Sequence, residues 1–179
     1  MVIGIIGILL GIVTTAASSS VKMSRSRRAD ALCAIVQSGL AVYNAQEGEW
    51  PISGLEDKSS RNQSGSNNTT ESLVYELNGG EVRDCVKALV EKTRQNNPVM
   101  DISGLFVSRF QGERNSGEAY GLDFMSAIRG TRKSSKKMKL AEMYFGYPES
   151  KHGWFRRFKI VYAIGSDSLT VTKQDDDDR

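Results

Sequence analysis

Apolar and polar positions divide this chain into three differently patterned stretches. The first, MVIGIIGILLGIV, runs from Met1 to Val13 without a charge or a proline. Thr14 to Ser20 add only small side chains, and four cations then follow at Lys22, Arg25, Arg27 and Arg28. A helix that is apolar all round needs cover all round. At 1.5 Å per residue, residues 1–13 span about 20 Å and residues 1–20 about 30 Å, and the hydrocarbon core of a bilayer is about 30 Å thick. A cleaved export signal is the competing reading, with its cut at Ala16-Ala17-Ser18. The missing basic segment before Met1 and the helical continuation after Ser18 count against it.

The second stretch is amphipathic. On a wheel of 100° per residue centred on Leu32, the residues Ala29, Ile35, Val36, Gly39, Leu40 and Tyr43 all fall within about 80°. Asp30, Gln37 and Asn44 make a polar stripe on another side, and Ala34, Ser38, Ala41 and Ala45 a strip of small residues on a third. The pattern predicts a helix with a packing face of Leu32, Ile35, Val36, Leu40 and Tyr43 and a smooth face open to another helix. Gly48 suits the C-terminal cap. Pro51 forbids continuation and holds Trp50 out of the α region. No glycine or proline interrupts Ile12 to Ser38, so the two stretches join into one helix about 70 Å long. A single small domain cannot shelter that length.

Beyond Pro51 the periods are shorter. Residues 53–72 are rich in Ser, Asn and Gly and predict a long exposed loop. Leu73–Leu77 reads as a short helical turn, broken at Asn78-Gly79-Gly80. Val82, Cys85, Val86, Leu89 and Val90 predict a second helix over 81–95, stopped before Pro98. Strands are predicted at 104–110, 120–124, 143–147, 154–164 and 169–172, the last two joined by the turn Gly165-Ser166-Asp167-Ser168. The predicted fold is α+β: a long protruding N-terminal helix whose second half packs on a small antiparallel sheet of three or four strands. The chain divides into an apolar helix half (1–20), an amphipathic half (21–50), a globular α+β head (51–174) and an acidic tail (175–179).

Composition changes this picture little. A chain of 179 residues holds one modest domain and an appendage. With 39% hydrophobic and 25% charged residues and a mean hydropathy of -0.37, the body is ordinary globular material. Two cysteines, Cys33 and Cys85, lack CxxC spacing, and either a single bridge or two buried free thiols fits them. The one histidine, His152, sits in the polar turn Glu149-Ser150-Lys151-His152-Gly153 and leaves no His-based metal site or triad to build. Phosphate-loop, dinucleotide and zinc motifs are absent from the sequence. No catalytic residue, cofactor or metal is assigned, and the chain reads as a non-enzyme. The tail Asp175–Asp178 lacks the fixed loop geometry of a calcium site.

The basic clusters carry one alternative. Arg129, Arg132, Lys133, Lys136, Lys137 and Lys139 lie close together, and Arg156, Arg157 and Lys159 follow Trp154 and Phe155. They read either as a solvated face or as a nucleic-acid surface combining phosphate contacts with stacking.

The block Val2-Ile3-Gly4-Ile5-Ile6-Gly7-Ile8-Leu9, continued by a helix that leaves through Tyr43, Gly48, Trp50 and Pro51, resembles the bacterial type IV pilins and, more closely, the type II secretion pseudopilins. Those proteins share a hydrophobic helix of the form F-T-L-x-E-L-L-V-V-I-x-I-I-G-I-L that runs on into an amphipathic half. The likeness is confined to the first helix and its exit; beyond that only the order of elements compares. It implies that Ile3, Gly4, Ile5, Ile6, Gly7, Ile8, Leu9, Leu10, Gly11, Ile12 and Val13 form the membrane and filament half of the helix. The glycines, with a GxxxG at 7–11, would let helices approach closely. Leu32, Ile35, Val36, Leu40 and Tyr43 would hold the head on its stalk. The implied protein waits in the bacterial inner membrane as a single-pass subunit with its head in the periplasm. A secretion or pilus assembly machinery then adds it to a homo- or hetero-oligomeric filament. The basic leader, the prepilin processing and methylation motif and the family's glutamate would all precede Met1, which implies either a start codon further upstream or a degenerate homologue that is never processed. Such a leader would also offset the run Lys22–Arg28, which alone would place the body in the cytoplasm. Some minor pilins take up DNA, so a membrane-anchored nucleic-acid-binding protein is the second reading.

Overall fold

In a computed structural model the chain opens with a single helix, α1, that runs unbroken over Val2–Glu47 (46 residues). The structure describes residues 2–52, 55, 74–95, 97–109, 121–130, 137–148 and 155–174, with the side chains of residues 2–19, Lys22 and Ile164 outside that description. α1 stops where the chain chemistry requires. Gly48 adopts a φ of +76°, a conformation open to glycine and costly for residues with a Cβ, and its N–H donates to the Asn44 carbonyl at 2.9 Å.

Strand β1 (Val74–Glu76) follows, then helix α2 (Gly79–Arg94), strands β2 (Phe106–Ser108) and β3 (Leu122–Asp123), and the short helix α3 (Phe124–Arg129). Strands β4 (Tyr144–Pro148), β5 (Phe155–Ala163) and β6 (Ser168–Lys173) follow, with single 3-10 turns at Leu140–Glu142 before β4 and Ile164–Ser166 between β5 and β6. The architecture is α+β. All strand pairs are antiparallel, in the order β1-β5-β4-β2-β3, with β6 also on β5. β5 is the hub: β4 pairs Phe155–Arg157, β6 pairs Phe158–Ala163, and β1 takes the edge opposite β6 at Val161–Ala163.

Several elements differ from the sequence expectation. The six strands exceed the expected three or four. Residues 74–76 form a strand, not a helical turn, because Val74, Tyr75 and Glu76 find ladder partners in Ala163, Tyr162 and Val161. A short apolar run has no period of its own, and tertiary pairing decides it. Asn78-Gly79-Gly80 is no break either. The Asn78 carboxamide oxygen accepts from the N–H groups of Gly80 and Glu81 at 3.0 Å each, and Glu81 accepts from the Asn78 N–H at 2.9 Å. This reciprocal box caps α2 and starts it at Gly79. The strand expected at 120–124 shrinks to Leu122–Asp123, since Phe124 donates its N–H to the Leu105 carbonyl at 2.7 Å and opens α3. The expected loop at 53–72 lies outside the described residues apart from Leu55, which is buried. His152 and the tail 175–178 also lie outside them.

α1 and α2 cover one face of the sheet. Between them and Phe145, Tyr147, Phe158, Ile160, Tyr162, Leu169 and Val171 lies the main core. Alternation along β5 sends Phe158, Ile160 and Tyr162 into it and Phe155 to the opposite face. There Phe155 stacks on Phe106, with ring centroids 6.3 Å apart and planes 20° apart. Gly146 makes that close crossing feasible: a Cβ at this position would lie 1.8 Å from the Arg156 carbonyl oxygen.

Candidate functional site

The candidate site is α1 itself, and its two halves differ. Ile3, Gly4, Ile5, Ile6, Gly7, Ile8, Leu9, Leu10, Gly11, Ile12 and Val13 all fall on its unbroken backbone, while their side chains lie outside the description. Among the described residues no helix is long and apolar enough to cross a membrane. Ser20, Val21, Met23 and Ser24 are exposed, and Ala29 is the first buried position of α1 among the described side chains. From Val2 to Ala29 the helix rises about 40 Å.

The second half is seated on the sheet. Leu32, Val36 and Leu40 are buried, and Ile35 and Tyr43 pack against the core from half-buried positions. Gly39 permits the close approach of the segment after α2, since a Cβ there would meet the Met100 Cβ at 2.9 Å. The small strip Ala34, Ser38, Ala41 and Ala45 is exposed along its length.

The polar stripe does more than face water. Gln37 donates from Nε2 to the Leu169 carbonyl and accepts from the Val171 N–H through Oε1, both at 2.6 Å. A side-chain amide thereby pairs with a β6 backbone edge as a neighbouring strand would. Asp30 pairs with Lys173 at 2.6 Å, and Lys173 also donates to Ser26 at 3.1 Å. Arg28 reaches Asp123 at 2.8 Å, and Lys92 of α2 pairs with Glu47 at the end of α1. At the exit, Asp167 accepts from the Trp50 indole at 2.8 Å and from the Tyr162 hydroxyl at 2.9 Å. Asp167 sits at a φ of +45° just before β6, so the β5–β6 connection is tied to the chain just past the end of the helix. Gln37, Lys173 and Asp167 gave no sequence signal as fastening groups. The seven-residue spacing of Asp30, Gln37 and Asn44 marked the stripe and said nothing of what would lie against it.

Chemistry among these groups is quiet. Cys33 and Cys85 are both buried and free, which resolves the alternative left open by their spacing. Burial, reinforced by the Asp30 carboxylate and opposed by Lys173, pushes the Cys33 thiol up to about 11. Burial alone pushes Cys85 up to about 12. Thiols held protonated are poor nucleophiles. Among the described residues no group of three His, Cys, Asp or Glu side chains is placed to hold a metal.

The basic clusters are only partly described. Arg129, Lys137 and Lys139 are exposed, while Arg132, Lys133, Lys136 and Trp154 lie outside the description. Phe155 is 3% exposed and stacked on Phe106, so it cannot serve as a base-stacking platform. Lys159 is 3.3 Å from the Glu76 carboxylate.

Compared with known proteins, the chain matches no protein family, no curated protein and no solved structure.

Proposed function

We propose that this chain is a structural, pseudopilin-like subunit. The apolar half of α1 holds it in the bacterial inner membrane with the head in the periplasm, and later packs among neighbouring copies in a type II secretion pseudopilus or type IV pilus-like filament. Its work is helix packing in an open, head-to-tail assembly, with no reaction to catalyse. The observation that supports this reading is the length of α1 set against where it is buried. The helix starts at Val2 and its described burial begins only at Ala29, while the residues between start with a run that has no charge. Such a run needs lipid or like helices around it, and it passes from one to the other with little change in polarity.

Fractionation of cells producing the chain tests the reading. The protein should stay with membranes through high-salt washing, and Ile8→Asp should release it and abolish cross-linking between copies. A freely soluble monomer with its amino end intact would overturn the proposal.

A further inference from the structure

The cations after the apolar run encircle α1, and we propose that this ring is a seat for anionic phospholipid headgroups. At 3.6 residues per turn, Arg27 lies about 160° from Arg25 and about 100° from Arg28, so positive charge is spread around the helix and not along one side. Just before it, Val21 and Met23 are 48% and 56% exposed and lie about 160° from each other by the same geometry. The head adds a further cation at this level, since Lys173 contacts Ser26 and Asp30. Asp30 pairs with Lys173 and Asp123 with Arg28 within this ring.

The arrangement selects the partner. A linear polyanion such as duplex DNA fits a stripe of cations on one face. A ring of cations directly beneath aliphatic groups exposed on opposite sides fits a plane that the helix axis crosses. The ring follows directly on the uncharged run and its small-residue extension, so where that run lies in the hydrocarbon core the ring falls at the headgroup level. From there arginine stems can lie along apolar surface while guanidinium groups meet phosphate. The inference rests on the membrane-anchored reading of the apolar run and adds the chemistry of the surface on which the head sits.

Flotation of the purified full chain with vesicles tests it, using phosphatidylcholine alone or with one part in three phosphatidylglycerol. Each cation near an anionic surface strengthens binding about five-fold. The chain should therefore partition onto the anionic vesicles far better than onto the neutral ones, and the excess should vanish in high salt, which screens exposed charge. The double substitution Arg25→Gln/Arg27→Gln should cut the excess about 25-fold on the same per-cation scale and leave neutral-vesicle binding unchanged. The wild-type salt titration carries the test if that variant folds poorly. Equal, salt-independent binding to both vesicles would overturn the headgroup seat and leave the anchor standing. Binding to anionic vesicles alone would remove the anchor and keep the seat. Binding to neither would remove both, and preferential, salt-sensitive binding of duplex DNA over anionic vesicles would overturn the seat in favour of a nucleic-acid surface.

Discussion

α2 and the second half of α1 lie on the same face of one sheet, and what differs is where their polar bonds go. α2 is seated mainly by burial: Gly79, Val82, Cys85, Val86, Leu89 and Val90 form one buried stripe, and its polar ties run from Glu81 to Tyr75, from Arg83 over the Tyr144 ring and from Lys92 to Glu47. α1 has a comparable stripe in Ala29, Leu32, Val36, Gly39 and Leu40 and adds directional bonds from Asp30 and Gln37 to β6 and from Arg28 to Asp123, with Trp50 just past its end bonded to Asp167. Burial is non-directional and tolerates small rotations and slides. Hydrogen bonds weaken steeply off their geometry, so α1 is fixed in rotation and in register along β6. A helix that continues beyond the head acts as a lever, and the polar contacts are what keep the lever from turning in its seat.

The largest effects should come from the shared part of this comparison. Leu40 on α1 and Leu89 on α2 are both fully buried, and truncating either to alanine should cost about 2–5 kcal/mol in urea unfolding. Similar losses at the two sites would show that the apolar stripes are equivalent. A cost at Leu40 much smaller than at Leu89 would mean that polar contacts carry most of the seating of α1.

Gln37→Leu should isolate the difference. It keeps a side chain of similar size but leaves the Leu169 carbonyl and the Val171 N–H without their partner. An unmet buried backbone group costs about 1–3 kcal/mol, and these two are only part-buried, so the expected loss for the pair is about 1–3 kcal/mol. Amide exchange at Val171 should accelerate while exchange in α2 stays slow. Uniform acceleration across both helices would place the damage in global stability and not in the β6 edge.

These two substitutions also mark how far the sequence could be read. The Leu32–Leu40 face was legible because apolar side chains recur at the helical period, and burial follows the period. Gln37 was not, because a polar residue on a helix faces water in most settings, and only the arrival of β6 turns it inward. β1 reads as a helical turn in the sequence because three residues carry no period, and Asn78-Gly79-Gly80 reads as a break because its two glycines mask the Asn78–Glu81 reciprocity. α3, at six residues, was too short to show a stripe around Phe124. Of the candidate site, the apolar run was plain in the composition, and the clasps on the other half depend on distant chain segments such as Asp167 and Lys173.

A smaller effect separates the two thiols, one on each helix. Both are raised above their ordinary value of 9.0, Cys33 to about 11 and Cys85 to about 12. The unfolded chain therefore releases these protons first as pH rises. Stability should be fully present below about pH 9 and decline toward the folded values, by on the order of 1 kcal/mol per thiol at pH 10. Urea midpoints at pH 8 and pH 10 measure this. Cys33→Ala should reduce the slope by removing one titrating thiol. Because Cys33 is 7% exposed and Cys85 is not exposed at all, a thiol reagent should label Cys33 first in the native protein. Equal labelling rates would mean that both react only through global unfolding.

The helix ends give the finest contrast. α2 is capped at its start by its own side chains, and Asn78→Ala should cost about 1 kcal/mol, felt within the first turn of α2 and by Tyr75, whose hydroxyl donates to Glu81 at 3.0 Å. α1 is capped at its end by Gly48, and a Cβ there would meet no atom within 4 Å. The cost of Gly48→Ala is therefore conformational, about 1 kcal/mol for a φ that glycine tolerates and alanine resists. Gly48→Asn should recover part of it, because asparagine adopts the left-handed conformation more readily. The consequence is less local than at Asn78, because the turn at Gly48 aims Trp50 at Asp167. Indole fluorescence and exchange at the Trp50 ring N–H should respond to Gly48→Ala and not to Asn78→Ala. If both variants leave the indole undisturbed, the exit of α1 is held by Pro51 and the core rather than by its glycine, and the clasp at Asp167 follows the helix instead of fixing it.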